Sequence, residues 1–490
     1  MRAPGTKKGR RVAPPAISAR LGSHVTLEAR AEGKLVACFE GFAIGLGTLS
    51  ASATDRAQAL RAGLPLASFA SSGEKVDQEI DLLVRRLARH GLLEYRLPSA
   101  QHREDHVVIE PQVANYWPET PPLGDADVLV LSRFAYLRRR GSEMVLESPR
   151  AGALFKICDP KIASALATLA TPHPIAQLRR EEDFPGLELL ALLVGCQILL
   201  KIDRADDTGL RPAEGDHDLV LWDFHDLLFH TRATQGRHAN PLGGVVPYAG
   251  LISPLPAVRP SWPGQRIDLD KISDAEANSP IARLLRERHS TRSFDAKLPI
   301  TLAELSRFLG DTARVLSKWE APVDVDDAGP VVEYAARPYP SAGASYALEL
   351  YLAVDQCDGV ARGFYHYEAG AHALVKIDVH ANELDAHFGG AEFAMAAPNK
   401  PQILITIAAR FGRVSWKYSS IAYALILKDV GVLTQTLYLM ATDMGLGGCA
   451  IGSVNIDLFA KLTGIEFHVE GAVGQFALGR GATSVASDQH

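Results

Sequence analysis

Cysteine is scarce and scattered: Cys38, Cys158, Cys196, Cys357 and Cys449 are the five in the chain. None forms a C-x-x-C pair or has an H-x-x-x-H partner nearby. That spacing does not make a zinc cluster. It points to reduced, mostly buried thiols and so to a cytoplasmic protein. A long apolar run is also missing. The greasiest stretch, 189–200, carries Gln197 and falls short of the ~20 residues a membrane helix needs, so it reads as a buried helix running into a strand, with no membrane partner. The first fifteen residues are basic and Pro-rich without an apolar core, which is not the pattern of a secretory signal. Nor is there a basic excess. Lys plus Arg is 51 against 57 Asp plus Glu, a net charge of −6, whereas a protein that grips nucleic acid usually carries surplus positive charge.

What is present is core-forming material. Hydrophobic residues make up 47% and charged residues 22% of 490, the balance of a chain that buries substantial cores. At roughly 150 residues per domain this length predicts about three domains, or two large ones. Residues 1–20 read as a loose basic tail. Over 21–110, residues 24–28 alternate like a strand. Val76, Ile80, Leu83, Val84 and Leu87 then fall on one helical face, Gly91 stops the helix after Arg89 and His90, and 92–97 resume as a strand. Helix, glycine and returning strand make a winged-helix-like unit. A related order recurs over 125–205, with strands at 144–147 and 153–157, helices over 159–170 and 187–194, and a strand at 198–202. The pair reads as a tandem. The recognition-type helix carries Asp77, Glu79 and Asp81 beside Arg85, Arg86 and Arg89, a mixture that favours a peptide over DNA.

From 206 to 274 the chain turns rich in Pro, Gly, His and aromatics, including Pro241, Gly243, Gly244, Pro247, Pro254, Pro256, Pro260 and Pro263, and reads as a connector or wrap-around arm. His225, His230 and His238 lie five and eight apart, which does not gather them on one helix face, so they read as packing or surface histidines. Residues 275–484 read as one α+β domain, with strands over 348–354, 402–408 and 472–478 and helices over 281–288, 302–309 and 419–444. The last helix is apolar nearly all round, as a helix buried on several sides would be. A subunit interface is one way to bury it.

Four local patterns in this domain bear on chemistry. Arg288-His289-Ser290-Thr291-Arg292 offers two guanidiniums and a hydroxyl within one turn, donors suited to a phosphate; a solvated basic turn is the plainer explanation. Arg337-Pro338-Tyr339-Pro340-Ser341-Ala342-Gly343-Ala344-Ser345 is a proline-stiffened turn whose small residues let backbone approach a flat ring. Gly445-Leu446-Gly447-Gly448-Cys449-Ala450 follows a helix rather than a strand, which rules out a dinucleotide fingerprint but leaves a glycine-rich loop lying against a planar cofactor. Lys417-Tyr418 is an acid/base pair if burial lowers the lysine's pKa; a surface location is the plainer reading of an isolated Lys-Tyr pair.

Their joint order, closed by Ala477-Leu478-Gly479-Arg480, resembles the FMN-dependent nitroreductase superfamily. More narrowly it is similar to the SagB-type dehydrogenases, azoline oxidases of thiazole/oxazole-modified peptide pathways. Residues 221–226 and 363–367 also look like that family's connector and strand motifs. The resemblance covers about 220–481, and the tandem in front is similar to the family's peptide-binding portion. It implies a nitroreductase-like α+β flavoprotein that dimerises with FMN at the subunit interface. By position Arg288, His289, Ser290, Arg292 and Arg480 would hold the phosphate and ribityl chain. Pro340, Ser341, Ala342 and Gly343, with Gly447 and Gly448, would line the isoalloxazine, and Lys417 and Tyr418 match the pair assigned to dehydrogenation. No metal is implied. One departure is Ala347, where the family commonly has proline. The implied substrate is an azoline-containing ribosomal peptide, with a cyclodehydratase as a possible partner. An NAD(P)H-fed nitro- or quinone-type reductase on the same fold, a non-catalytic peptide scaffold and, more distantly, a transcription factor stand as alternatives.

Overall fold

The computed structural model describes residues 17–30, 33–39, 41–70, 72–98, 105–202, 217–237, 243–244, 246–259, 261, 263–269, 279–323 and 329–482. Residues 1–16 of the expected tail, and His238, Pro241 and Pro260, lie outside them. The chain divides into two compact units, one built from residues 1–232 with 236–239, the other from 233–235 with 240–490.

In the N-terminal unit the helix Lys75–Arg89 buries Ile80, Leu83, Val84 and Leu87 of the expected stripe, with Val76 half-buried. It ends at Gly91 in the left-handed region, φ 66°, where glycine carries no Cβ penalty. Each fully buried aliphatic side chain there contributes about 1.5–3 kcal/mol. Of that helix's basic residues, Arg85 pairs with Asp81 at 2.9 Å and lies 4.4 Å over the Trp117 ring, while Arg86 donates to the Leu46 carbonyl. The greasy stretch forms the helix Leu187–Gly195 and then the strand Leu199–Ile202, as its composition predicts.

The expected division at 21–110 and 125–205 does not correspond to two separate bodies. One seven-stranded sheet runs through both, in the order Leu64–Pro65, Ser18–Leu21, Leu93–Pro98, Asp105–Pro111, Ala153–Ile157, Glu143–Glu147, Tyr136–Arg140. The joint is Asp105–Pro111, antiparallel to Leu93–Pro98 on one edge and to Ala153–Ile157 on the other. A strand paired on both edges leaves no polar edge at which the unit could part, and a single apolar cluster runs from Ile17 to Leu199. The expected connector is also not all arm. Residues 217–232 form the helices His217–Val220 and Phe224–Arg232 and belong to this unit: Arg133 donates to the Leu219 and Trp222 carbonyls at 2.6 and 2.7 Å. His225 is exposed and His230 buried. Of the cysteines, Cys196, Cys357 and Cys449 are buried, Cys38 is half-buried and Cys158 is exposed.

The C-terminal unit has mixed helices and strands around a six-stranded antiparallel sheet. Its elements are α1 (Pro280–Glu287), α2 (Leu302–Ala313), β1 (Ser317–Pro322), β2 (Val331–Ala336), β3 (Leu348–Val354), β4 (Gly363–Glu368), β5 (Ala373–Ile377), α3 (Ala381–Met395), β6 (Ile403–Arg410), α4 (Gly412–Ser415), α5 (Ala422–Asp443), β7 (Gly447–Ile451), α6 (Ile456–Thr463) and β8 (Glu470–Gly479). The sheet order is β5-β4-β3-β6-β8-β7, with β1 and β2 a separate hairpin. Along β8 the alternation places Gln475 toward His387 of α3 at 3.2 Å and Phe476 against Tyr438 of α5, ring centroids 5.0 Å apart. Helices α3 and α5 therefore cover opposite faces of the sheet, which is why Ile403 to Ala409 of β6 are buried without a break. By length and composition α5 could cross a membrane, but it buries one face, from Ala422 to Ala441, on its own unit. Val432 is exposed and Leu425 and Leu439 are half-buried, so within one chain this helix is one-sided rather than enclosed.

Candidate functional site

The turn after β2 meets the segment after α4. Gly343 has φ 55°, and a Cβ placed on it would stand 2.2 Å from the Tyr418 hydroxyl and 3.0 Å from Lys417 Nζ. Two patterns some seventy-five residues apart in sequence thus share one corner, and only glycine fits there. Lys417 and Tyr418 each donate a backbone N–H to Val414 O, at 3.0 and 2.9 Å, continuing α4 off the buried Phe411 and Val414. Lys417 Nζ lies 5.6 Å from the Tyr334 ring and 5.5 Å from the Tyr418 ring, so the two rings flank the amine. Lys417 is exposed and Tyr418 half-buried. The surface location that an isolated Lys-Tyr pair suggests is what the structure has, so burial does not supply the activation that the acid/base reading required.

Ser341 is fixed from α5. Its Oγ donates to Asp429 Oδ2 at 2.5 Å and accepts from the Tyr346 N–H at 3.0 Å, while the Ala342 N–H reaches Asp429 Oδ1 at 3.2 Å. Asp429 is 6% exposed, and a buried carboxylate persists only where donors satisfy it. These bonds hold a turn with positive φ at Ala344 and Tyr346 as well, 52° and 41°. Ala347 accepts from the Arg410 N–H at 2.9 Å, so hydrogen bonds restrain the turn where the related family commonly has proline. Pro340 stands at the head of this turn, after the buried Tyr339.

Farther along α5 a second cluster forms. Tyr438, 8% exposed, shares a 2.9 Å hydrogen bond with Ser290 Oγ and accepts the Ala450 N–H at 2.8 Å. The Arg288 guanidinium lies 4.9 Å over its ring. Arg292 is exposed and makes no ion pair among the described residues, and His289, also exposed, bonds the Glu287 carbonyl at 3.0 Å. Arg480 binds both oxygens of Glu304 at 2.9 Å. The same Glu304 closes the capping box of α2 with Thr301, and the Thr301 N–H first, then Arg480, hold its carboxyl below the usual glutamate range. Gln402 ties the segments together, accepting from the Ile300 and Arg480 N–H groups and donating to the Asp295 and Leu298 carbonyls.

Gly447 and Gly448 are not in a loop. They open β7, paired with Gly479 and Leu478 of β8, and both are buried. A Cβ on Gly447 would meet Thr291 at 2.6 Å, and one on Gly448 would meet Phe476 at 2.4 Å. Side chains of this same chain therefore account for both glycines. Asp429 and Tyr438, nine residues apart, are separated by about 14 Å along the helix axis. An elongated ligand, not a compact ion, suits a site engaging both clusters. Sequence reasoning missed Asp429, Tyr438, Tyr334 and Glu304. Asp429 left a readable signal, an acid inside an apolar helical run, and Thr301-x-x-Glu304 is a readable capping box. The partner of each came only with the fold.

The nitroreductase family model matches residues 285–480, and the model of the cyanobactin oxidase ThcOx matches residues 129–239. A protein of Methanocaldococcus jannaschii classed as a nitroreductase is 33% identical over 175 residues, 35% of this chain and 77% of that protein. The trifolitoxin-processing protein TfxB of Rhizobium leguminosarum bv. trifolii is 26% identical over 151 residues, 30% of this chain and 40% of that protein. Among solved structures, the E. coli microcin synthetase McbBCD complex, with truncated pro-MccB17 bound, is 19% identical, covering 55% of this chain and 97% of that one with a TM-score of 0.40.

Proposed function

We propose that this chain, which belongs to the nitroreductase family, is an oxidoreductase that converts thiazoline or oxazoline rings of a ribosomal peptide to thiazole or oxazole. The observation that carries the reading is the meeting of Lys417 and Tyr418 with Gly343. The chain's residues 129–239 also match a cyanobactin oxidase, outside the nitroreductase region. An enzyme for small nitro compounds has no evident need of such a portion, whereas a peptide oxidase must hold a chain.

FMN is the cofactor that the residues fit. Arg292 has no competing ion pair among the described residues, and Arg288 and Ser290 converge on Tyr438. With His289 and Arg480 they would hold a phosphate and ribityl chain through charge-assisted hydrogen bonds. Pro340, Ser341, Ala342 and Gly343 would line the ring. The bound flavin supplies the two-electron acceptor. Lys417 Nζ, in its neutral form, takes the proton from the azoline Cα, and the Tyr418 hydroxyl beside Gly343 orients that nitrogen. Placing the ring within reach of Nζ is the chain's main task, since aromaticity of the product supplies much of the driving force. Dimerisation through the FMN domain, a cyclodehydratase partner and a cytoplasmic location belong to the same reading.

The test compares wild type with Lys417→Ala. Both should purify yellow, wild type should remove two hydrogens per ring from a synthetic azoline peptide, and the variant should be slower by about 10²–10⁴-fold, the usual weight of a general base. Full activity in the variant would sink the role of Lys417. The relative classed as a nitroreductase favours a second reading, an NAD(P)H-fed reductase; oxidation of NADPH without any change to the azoline would support it.

A further inference from the structure

Strand β2 has two faces, and Lys417 uses only one. Tyr334 points to Lys417, while Glu333, Ala335 and Arg337, on the alternate positions, line a cleft of about 240 Å³. The cleft walls carry four cations, Lys318, Arg337, Arg410 and Arg413, against two carboxylates, Glu333 and Glu349. Those carboxylates are loosely shared. Arg337 and Arg410 stand 3.6 and 3.9 Å from Glu349, and Lys318 stands 3.7 Å from Glu333, beyond the ~2.7–2.9 Å of a tight charge-assisted bond. Arg413 spends its Nε and Nη2 on the Ser345 and Glu333 carbonyls, at 3.2 and 3.0 Å, and pairs with no carboxylate among the described residues. Arg337 is the telling residue. Its side chain is 8% exposed, Nη1 donates to the Leu348 carbonyl at 3.0 Å, and its buried Nε has no hydrogen-bond partner. A guanidinium lining a cleft with two surplus positive charges marks a place for an anion.

We propose that this cleft binds a carboxylate of the peptide substrate, an aspartate or glutamate side chain flanking the ring to be oxidised. The proposal rests on the azoline reading above for the identity of the peptide. Proximity argues for a group on the substrate itself: Arg413 precedes Lys417 by four residues and bridges β2 to Ser345 of the ring-binding turn. A forked guanidinium matches a carboxylate in shape, and several arginines around one opening would favour it over an uncharged amide.

The experiment uses the full-length flavin-loaded protein and two labelled azoline peptides identical except for Glu or Gln beside the ring, placed on either side in turn. Anisotropy should show the Glu peptide binding on the order of ten-fold tighter in at least one placement. Arg410→Ala, which removes a half-exposed cation without touching Lys417 or the phosphate-side arginines, should erase most of that preference and leave the Gln peptide's affinity and the flavin absorbance unchanged. Equal affinities in wild type, or a preference that survives in both Arg410→Ala and Lys318→Ala, would overturn the proposal. Because binding is read without turnover, a Glu preference with no ring oxidation would fell the azoline reading and leave the carboxylate site standing. Ring oxidation without the preference would do the reverse.

Discussion

Toward its beginning α5 presents Asp429, which holds Ser341 and Ala342 at the corner where Gly343, Lys417 and Tyr418 meet. Two and a half turns on it presents Tyr438, flanked by Ser290, Arg288 and the start of β7. Both neighbourhoods contain glycines that no other residue could replace without movement, yet for opposite reasons. At Gly343 a Cβ would strike the tips of two polar side chains, the Tyr418 hydroxyl and Lys417 Nζ. At Gly448 it would strike the buried ring of Phe476, part of the core. The same residue type therefore marks a corner of polar side chains in one place and close packing of the core in the other.

That contrast is open to direct attack. Gly448→Ala should cost about 1–3 kcal/mol of stability, as overpacking of a core does, seen as a lowered urea midpoint, while the protein that remains folded keeps its kcat. Gly343→Ala should cost about 1 kcal/mol for the left-handed backbone but depress kcat more than stability, because the Tyr418 ring is the part free to move. Equal losses of both kinds in the two variants would erase the distinction. The smallest effect concerns Glu304. Its carboxyl titrates below the usual glutamate value in the folded chain, so its contribution is fully present above the unfolded pKa, near 4.5, and is lost as pH falls through the depressed folded value. Acid unfolding of wild type should steepen in that window relative to Glu304→Gln, and parallel curves would mean that the Arg480 pair is energetically silent.

Much of this was legible in local sequence because the causes are local. The stripe Ile80, Leu83, Val84, Leu87 with Gly91 behind it defines a helix and its stop wherever it lies. Leu348–Val354 reads as a strand because seven mostly apolar residues follow a proline-rich turn. What escaped depends on pairing at a distance. Nothing in Asp105–Pro111 reveals that it has neighbours on both edges, so one sheet was read as two units. Gly447 and Gly448 look like a cofactor loop until Thr291 and Phe476 are seen filling the space beside them. A surface position for Lys417 is what a bare Lys-Tyr pair suggests, and it is exposed, but nothing local reveals that the rings of Tyr334 and Tyr418 flank it. The connector shows the same limit: Leu219, Trp222 and Leu227 are buried in the N-terminal unit, which composition alone hid behind the prolines that follow.

The central claim is that electrons flow from an azoline ring to the flavin, with Lys417 taking the proton. The most direct measurement is the flavin absorbance of the purified protein without oxygen, one cuvette receiving a synthetic azoline peptide and the other NADPH. Bleaching by the azoline peptide in wild type, and its loss in Lys417→Ala, is the expected result. Bleaching by NADPH alone would contradict the account and make the chain a reductase.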